Sequence, residues 1–323
     1  MPGLSLASIV TSNPERVERA RSAHPDAEIL SSADDLLANP CDLAVIAAPN
    51  RHHAPLALRA IEARMHVVID KPLAPSVTEA ESVASAAARA GVVASVFHNR
   101  RWDGDFLTLR RLVGDGALGE LPRPESRFER WRPEVDFGKW REGGGPEDAG
   151  GALFDLGPHL IDQALELLGP AHSVYAEVRN VRTGVEVDDD VFVALEHDSG
   201  ARSHLWATMV AAQPAPRFRA LGSRAAYVKR GVDPQEDALR SGGGPRDPGF
   251  GAEPREAWGL LGDEDSAAPV ATEPGRYVEY YEGIERAIRG DGPPPVPLEA
   301  GIETLRVIEA ARASSAERAV VQL

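Results

Sequence analysis

Residues 42–72 read DLAVIAAPNRHHAPLALRAIEARMHVVIDKP. Asp42–Ala48 is a nearly unbroken apolar run, the pattern of a parallel strand covered on both faces. Pro49-Asn50 stops it, His52–Ala63 carries helical spacing, and Met65–Ile69 is a second buried strand ended by Asp70-Lys71-Pro72. The same rhythm extends in both directions. Upstream, LSLASIV at 4–10 and Glu28–Leu30 read as strands. Ser12-Asn13-Pro14 caps a helix through Ala20–Ala23, and Ser32–Asp35 opens a brief one. Downstream, a helix through Glu79–Ala90 leads to a strand at Val92–Phe97. Residues 1–100 are therefore expected to form a doubly wound α/β domain around a parallel sheet. Ligands of such sheets bind beyond the carboxyl ends of the strands. Those ends are Thr11–Asn13, Pro49-Asn50, Asp70-Lys71 and His98–Arg100, which are expected to converge on one crevice.

After residue 100 the rhythm changes. Phe106–Val113 continues as a helix and Gly114–Gly119 as a turn. Two-residue alternation then marks Ser173–Val181, Val191–His197 and Ser203–Met209, followed by Phe218–Leu221 and Ala225–Lys229. Residues 101–323 thus form a second, α+β unit with a large, open, mainly antiparallel sheet. Residues 231–275, rich in glycine, proline and acids, read as a long surface loop, and 143–145 and 242–244 as glycine elbows. Helices at Arg276–Arg289 and Leu298–Ser314 and a strand at Ala319–Leu323 close the chain.

Within this unit, residues 150–169 (GGALFDLGPHLIDQALELLG) are expected to supply a helix packed on the sheet. Leu160, Ala164, Leu167 and Leu168 recur at helical spacing, and Pro158 is tolerable only in the first turn. Asp155 then sits at the helix start with His159 four residues on, along the same side. The helix dipole disfavours an imidazolium there and Asp155 favours it, so His159 is expected to titrate near neutral pH and to suit proton transfer. Asp155 as a plain N-cap beside a first-turn polar residue explains the same pattern. Asp155, His159 and Asp162 share one stretch of helix and would not enclose a metal, so no metal site is expected.

The 323 residues carry 35 Lys and Arg against 50 Asp and Glu, a formal net charge of −15. Nucleic acid and anionic membranes select basic surfaces, so neither is an expected partner. One cysteine, Cys41, excludes an internal disulfide and fits a reducing cytoplasm. No apolar run reaches the ~18 residues of a membrane span.

Three pieces then fall in order: Asp70-Lys71-Pro72 at one strand end, HNRRW at 98–102 at the next, and Asp155-x-x-x-His159. In this the chain resembles the glucose-fructose oxidoreductase/inositol dehydrogenase (Gfo/Idh/MocA) family, and within it the NADP-using scyllo-inositol 2-dehydrogenase-like branch. FHNRRWDGDFL at 97–107, DLGPHLIDQAL at 155–165 and VDPQEDAL at 232–239 carry the likeness. The resemblance implies a Rossmann-type domain, a substrate-binding domain, and NAD(P)-dependent hydride transfer to or from a polyol or sugar hydroxyl. It assigns proton handling to Lys71 and His159, with Asp155 orienting the substrate and tuning His159. It sets Pro49, Asn50 and His53 under the cofactor, Asp70 and Lys71 beside it, and Asn99 and Arg100 on the nicotinamide side. It also implies homodimers or homotetramers formed through the open face of the second sheet.

Two departures stand out. Asp70 replaces the family's usual glutamate. The family's first strand and G-x-G-x-x-G turn, which hold the pyrophosphate at a helix N-terminus, have no counterpart. The sequence begins where the second strand is expected, so an N-terminal truncation of about 25–30 residues, the length of a strand–turn–helix entry, is the expected explanation. Because unpaired buried backbone groups cost about 1–3 kcal/mol each, rearranged pairing near Leu4–Val10 or low stability is expected, together with weak NADP affinity. At the second strand's end, Thr11, Ser12 and Asn13 stand where a carboxylate would grip a ribose 2′-hydroxyl, and with Arg16 nearby they favour NADP over NAD. The competing class is a non-catalytic sugar-binding or scaffold protein without a working nucleotide site.

Overall fold

The computed structural model describes residues 3–138, 142 and 148–323; residues 143–145, read as an elbow, fall outside that set. The first part alternates as the sequence predicts: β1 (Ser8–Val10), α1 (Pro14–Ala23), β2 (Glu28–Leu30), α2 (Ala33–Ala38), β3 (Leu43–Ile46), α3 (His53–Glu62), β4 (His66–Asp70), α4 (Val77–Ala90) and β5 (Ala94–Phe97). The caps are those the sequence names. Asn13 Oδ1 accepts from the Arg16 N–H at 3.0 Å. Ser32 and Asp35 form a reciprocal capping box at α2.

These strands are parallel but lie in two sheets, β1-β2 and β3-β4-β5. Among the described residues β1 pairs only with β2, and β3 only with β4. The expected rearrangement near Leu4–Val10 does not occur. Each strand is left with one unpaired edge, and Val10 and Val45 on these strands are 39% and 52% exposed. Water reaches these edges, so the cost reckoned for buried unpaired groups does not arise.

A short helical turn at Asn99–Trp102 and α5 (Gly104–Gly114) lead into the second unit. Its sheet has nine strands, in the order β13-β12-β11-β10-β6-β9-β8-β7-β14. Their ranges are β6 Arg123–Glu129, β7 Ala171–Arg179, β8 Asp190–His197, β9 Arg202–Thr208, β10 Phe218–Leu221, β11 Ala226–Lys229, β12 Gly259–Gly262, β13 Ala268–Val270 and β14 Val321–Gln322. Only β6 and β9 run parallel; the other pairs are antiparallel. In β8 burial alternates residue by residue, Val191, Val193 and Leu195 facing in. Two short helices, α6 (Ala152–Asp155) and α7 (Gly157–Leu168), replace the single helix expected, with Pro158 in the first turn of α7.

Residues 231–275 are more ordered than the loop the sequence suggests. They hold α8 (Gln235–Arg240) and the β12–β13 hairpin, which extends the sheet. The closing helices are α9 (Val278–Arg289) and α10 (Leu298–Glu317). The latter packs on α4 and β5 of the first part and on β7 of the second. One hydrophobic core, from Ala44 to Ala311, consequently runs through both.

Candidate functional site

The carboxyl ends of β4 and β5 face α6 and α7 across a cavity of about 450 Å³, within the usual range of small-molecule sites. Asp70, Lys71, Asn99 and Arg100 line it from one side, Asp155 and His159 from the other. Thr11, Ser12, Asn13, Pro49, Asn50 and His53 do not line it, so the four strand ends do not converge as expected. Three of these side chains have other partners. Asn13 caps α1, and Asn50 Nδ2 donates to the Ala149 carbonyl at 2.9 Å, tying the two units together. The buried His53 ring lies 2.7 Å from the Pro72 carbonyl and 2.8 Å from that of Ala48.

Lys71 follows the last residue of β4, and its peptide bond to Pro72 is cis. Its ammonium donates to the Asp155 carbonyl at 2.6 Å and to Asp155 Oδ1 at 3.0 Å. Asp155 Oδ2 lies 3.8 Å from Arg130. The aspartate therefore pairs with cations, not with His159. His159, 5% exposed, has its Nδ1 buried with no hydrogen-bond partner among the described residues. Burial holds its pKa well below the usual histidine value, and the positive charges of Lys71 and Arg100 push the same way. The reading that His159 titrates near neutrality under Asp155's influence is thus corrected: the ring is neutral at pH 7, and Asp155 does not offset its desolvation.

Around this pair the wall is highly charged. Arg100 is stacked 4.7 Å from the Phe128 ring and paired with Asp103 at 3.0 Å and Glu236 at 2.7 Å. Asp188, whose Oδ1 accepts from the Leu153 N–H at 2.6 Å, is raised by burial to a pKa of about 6. Sequence reading missed Asp188, Glu236 and the wall arginines Arg130, Arg132, Arg182 and Arg240. Arg130 and Arg132 follow β6, a strand unrecognised in the sequence, and Glu236 and Arg240 lie in the segment read as loop. The one available signal was RWR at 130–132, three residues that strand alternation places at the end of an element.

A neutral imidazole can accept a proton from a hydroxyl, and a paired lysine can polarise one. Asp70, Lys71 and Asn99 at the strand ends suit the polar carboxamide end of a nicotinamide. His159 lines the same cavity beside them.

Comparison with known proteins agrees with this architecture. Residues 1–98 match the family model described as oxidoreductase family, NAD-binding Rossmann fold. Residues 110–323 match the oxidoreductase family, C-terminal alpha/beta domain. The chain is 40% identical to the oxidoreductase YdgJ of Escherichia coli (strain K12), over 100% of this chain and 92% of that protein. It is 35% identical to the scyllo-inositol 2-dehydrogenase (NADP(+)) IolW of Bacillus subtilis (strain 168), over 98% of this chain and 88% of that protein. The solved structure of the oxidoreductase YvaA from Bacillus subtilis superimposes with a TM-score of 0.91 at 33% identity, covering 100% of this chain and 93% of that one. With both halves of the chain matched, and whole-length relatives of the same kind, this protein belongs to the Gfo/Idh/MocA family of NAD(P)-binding oxidoreductases.

Proposed function

We propose that this protein is an NAD(P)-dependent dehydrogenase acting on a CH–OH group of a sugar or polyol, with His159 as general base. The observation that carries the reading is a buried, neutral histidine that lines one cavity with a Lys71–Asp155 pair at the parallel-strand ends. Nicotinamide, when bound, supplies the hydride-accepting chemistry. Asp70, Lys71 and Asn99 would hold its reactive end, with Pro49, Asn50 and His53 in the turn beneath the rest. Lys71 hydrogen-bonds the substrate oxygen, His159 takes the hydroxyl proton, and Asp155 keeps the lysine aimed into the cavity.

Replacing Lys71 or His159 by Ala should lower kcat about a hundredfold, the scale of a lost acid–base group. Assays run with both nucleotides also test the cofactor. Without a carboxylate at Thr11–Asn13 to repel a 2′-phosphate, NADP should bind more tightly than NAD. Undiminished turnover in both variants would remove the catalytic assignment, and tighter NAD would leave Ser12 and Asn13 as a helix cap alone. The half-buried ladder of Tyr175, Phe192, Trp206 and His204 on the outer face of the sheet supports a homo-oligomer formed there. Sedimentation of the purified protein as a monomer would exclude it.

A further inference from the structure

Past Glu129 the chain continues beside β9 with its backbone fixed. The Arg130 N–H donates to the Thr208 carbonyl at 2.9 Å, the Arg132 N–H to that of Met209 at 2.8 Å, and the Ala211 N–H to that of Arg130 at 2.9 Å. The buried Arg182 braces the segment, donating to the carbonyls of Arg132 and Glu134 at 3.0 and 3.2 Å. Arg130 and Arg132 line both the main cavity and an adjoining one of about 250 Å³, where the exposed Trp131 also sits.

The other cations on these walls are neutralised. Lys71 has Asp155, Arg100 has Asp103 and Glu236, Arg182 has Glu142 and Asp189, and Arg240 has Glu236 and Asp237. Among the described residues Arg130 reaches only Asp155 Oδ2, at 3.8 Å, on a carboxylate already bonded to Lys71. Arg132 has no carboxylate partner among the described residues. Two guanidinium groups therefore face the cavity without full compensation, and one of them borders the Lys71–Asp155 pair. Burial lowers the Arg130 pKa, and repulsion from Arg132 and Arg100 adds to this against the opposing pull of Asp155. An incoming anion would relieve that strain and find planar donors suited to bidentate binding.

Building on the dehydrogenase reading, we infer that the substrate is an anionic sugar or polyol, a sugar acid or sugar phosphate. Arg130 and Arg132 grip its carboxylate or phosphate while a hydroxyl meets Lys71 and His159. A hydrogen bond to a charged group stabilises binding enough to separate charged from neutral sugars by about tenfold or more.

Calorimetric titration of the full chain without nucleotide tests this. Glucose and galactose are compared with their uronates and their 6-phosphates, and with inorganic phosphate alone. At low salt one anionic set should bind at least about tenfold more tightly than the neutral sugars, the tighter set identifying carboxylate or phosphate. The double variant R130Q/R132Q should lose that preference while keeping the wild-type melting temperature. Equal affinities, no binding by any sugar, a preference that survives in the double variant, or phosphate alone matching the sugar phosphates would each overturn the inference. Arginine-dependent sugar binding without any redox turnover would instead overturn the dehydrogenase reading, so the two fail separately.

Discussion

A histidine kept neutral by its surroundings leaves a signature in stability as well as in chemistry. His159 and the neighbouring His98 are buried, and burial is the leading cause of the lowered pKa of each. Neither ring nitrogen of His98 has a hydrogen-bond partner among the described residues. An unfolded histidine titrates at about 6.5. As pH falls through that value, the unfolded chain takes up protons that the folded chain refuses, so these groups contribute stability above pH 6.5 that is lost below it. Buried acids act in the opposite sense. Asp188 and Asp233 are raised to about 6, each chiefly by burial, so the folded state favours their protonated forms. The net slope mixes the two sets, and a difference between variants separates them. Between pH 7.5 and pH 5.5 the His159→Asn variant should lose less stability than wild type, read as the shift in urea midpoint. Equal losses would mean that the folded His159 protonates as readily as a free histidine. The sequence revealed the histidine and its carboxylate neighbour. The sign of the pKa shift was not legible, because it depends on Lys71 and Arg100, 88 and 59 residues upstream.

At the scale of elements, what the sequence made legible depended on which side of a strand carried the pattern. β8, DVFVALEH, carries a run of apolar, largely β-branched and aromatic residues and is legible directly. β6, RPESRFE, alternates, but its charged residues Arg123, Glu125, Arg127 and Glu129 occupy one face, and the other holds Pro124, Ser126 and Phe128. A proline in a strand interior argues against a strand, and β6 nevertheless sits between β10 and β9 in the middle of the sheet. The wall arginines after it were lost with it. The α6–α7 segment was legible for the opposite reason, since glycine and proline punctuate it. Gly151 precedes α6 with φ +90°, and a Cβ there would stand 2.5 Å from Asp188 Oδ2. That carboxylate also binds the Leu153 N–H, and the Asp188 carbonyl accepts from the Ala152 N–H at 2.8 Å, so the start of α6 depends on the close approach. Gly151→Ala should destabilise the protein by about 1–3 kcal/mol through backbone strain. Gly114→Ala, in open space at the end of α5, should be neutral or mildly stabilising. A Gly151→Ala variant with a wild-type denaturation midpoint would show that Asp188 moves aside at little cost.

Across the whole molecule, stability is distributed unevenly. The closing helix α10 joins β5, α4 and β7 into one core, whereas the described residues from 3 to 43 contain no buried side chain. Neither α1 nor α2 buries a residue. The β1-β2 pair is connected to the rest by no strand pairing. With so little apolar surface removed from water, this segment is expected to open independently of the core. Among the described residues β1 pairs on one side only, and an unpaired edge leaves backbone donors and acceptors free. Amide hydrogen exchange followed by mass spectrometry should find residues 4–38 exchanging faster than β3, β4 and β5 by several orders of magnitude. Every 1.4 kcal/mol between local and global opening is worth a factor of ten in rate. NADP should slow exchange in this segment more than elsewhere if Thr11, Ser12 and Asn13 contact the nucleotide, because binding stabilises the state it binds. Protection at β1 and β2 equal to that at β4, with no nucleotide present, would mean that these strands are coupled to the core by contacts other than strand pairing and burial.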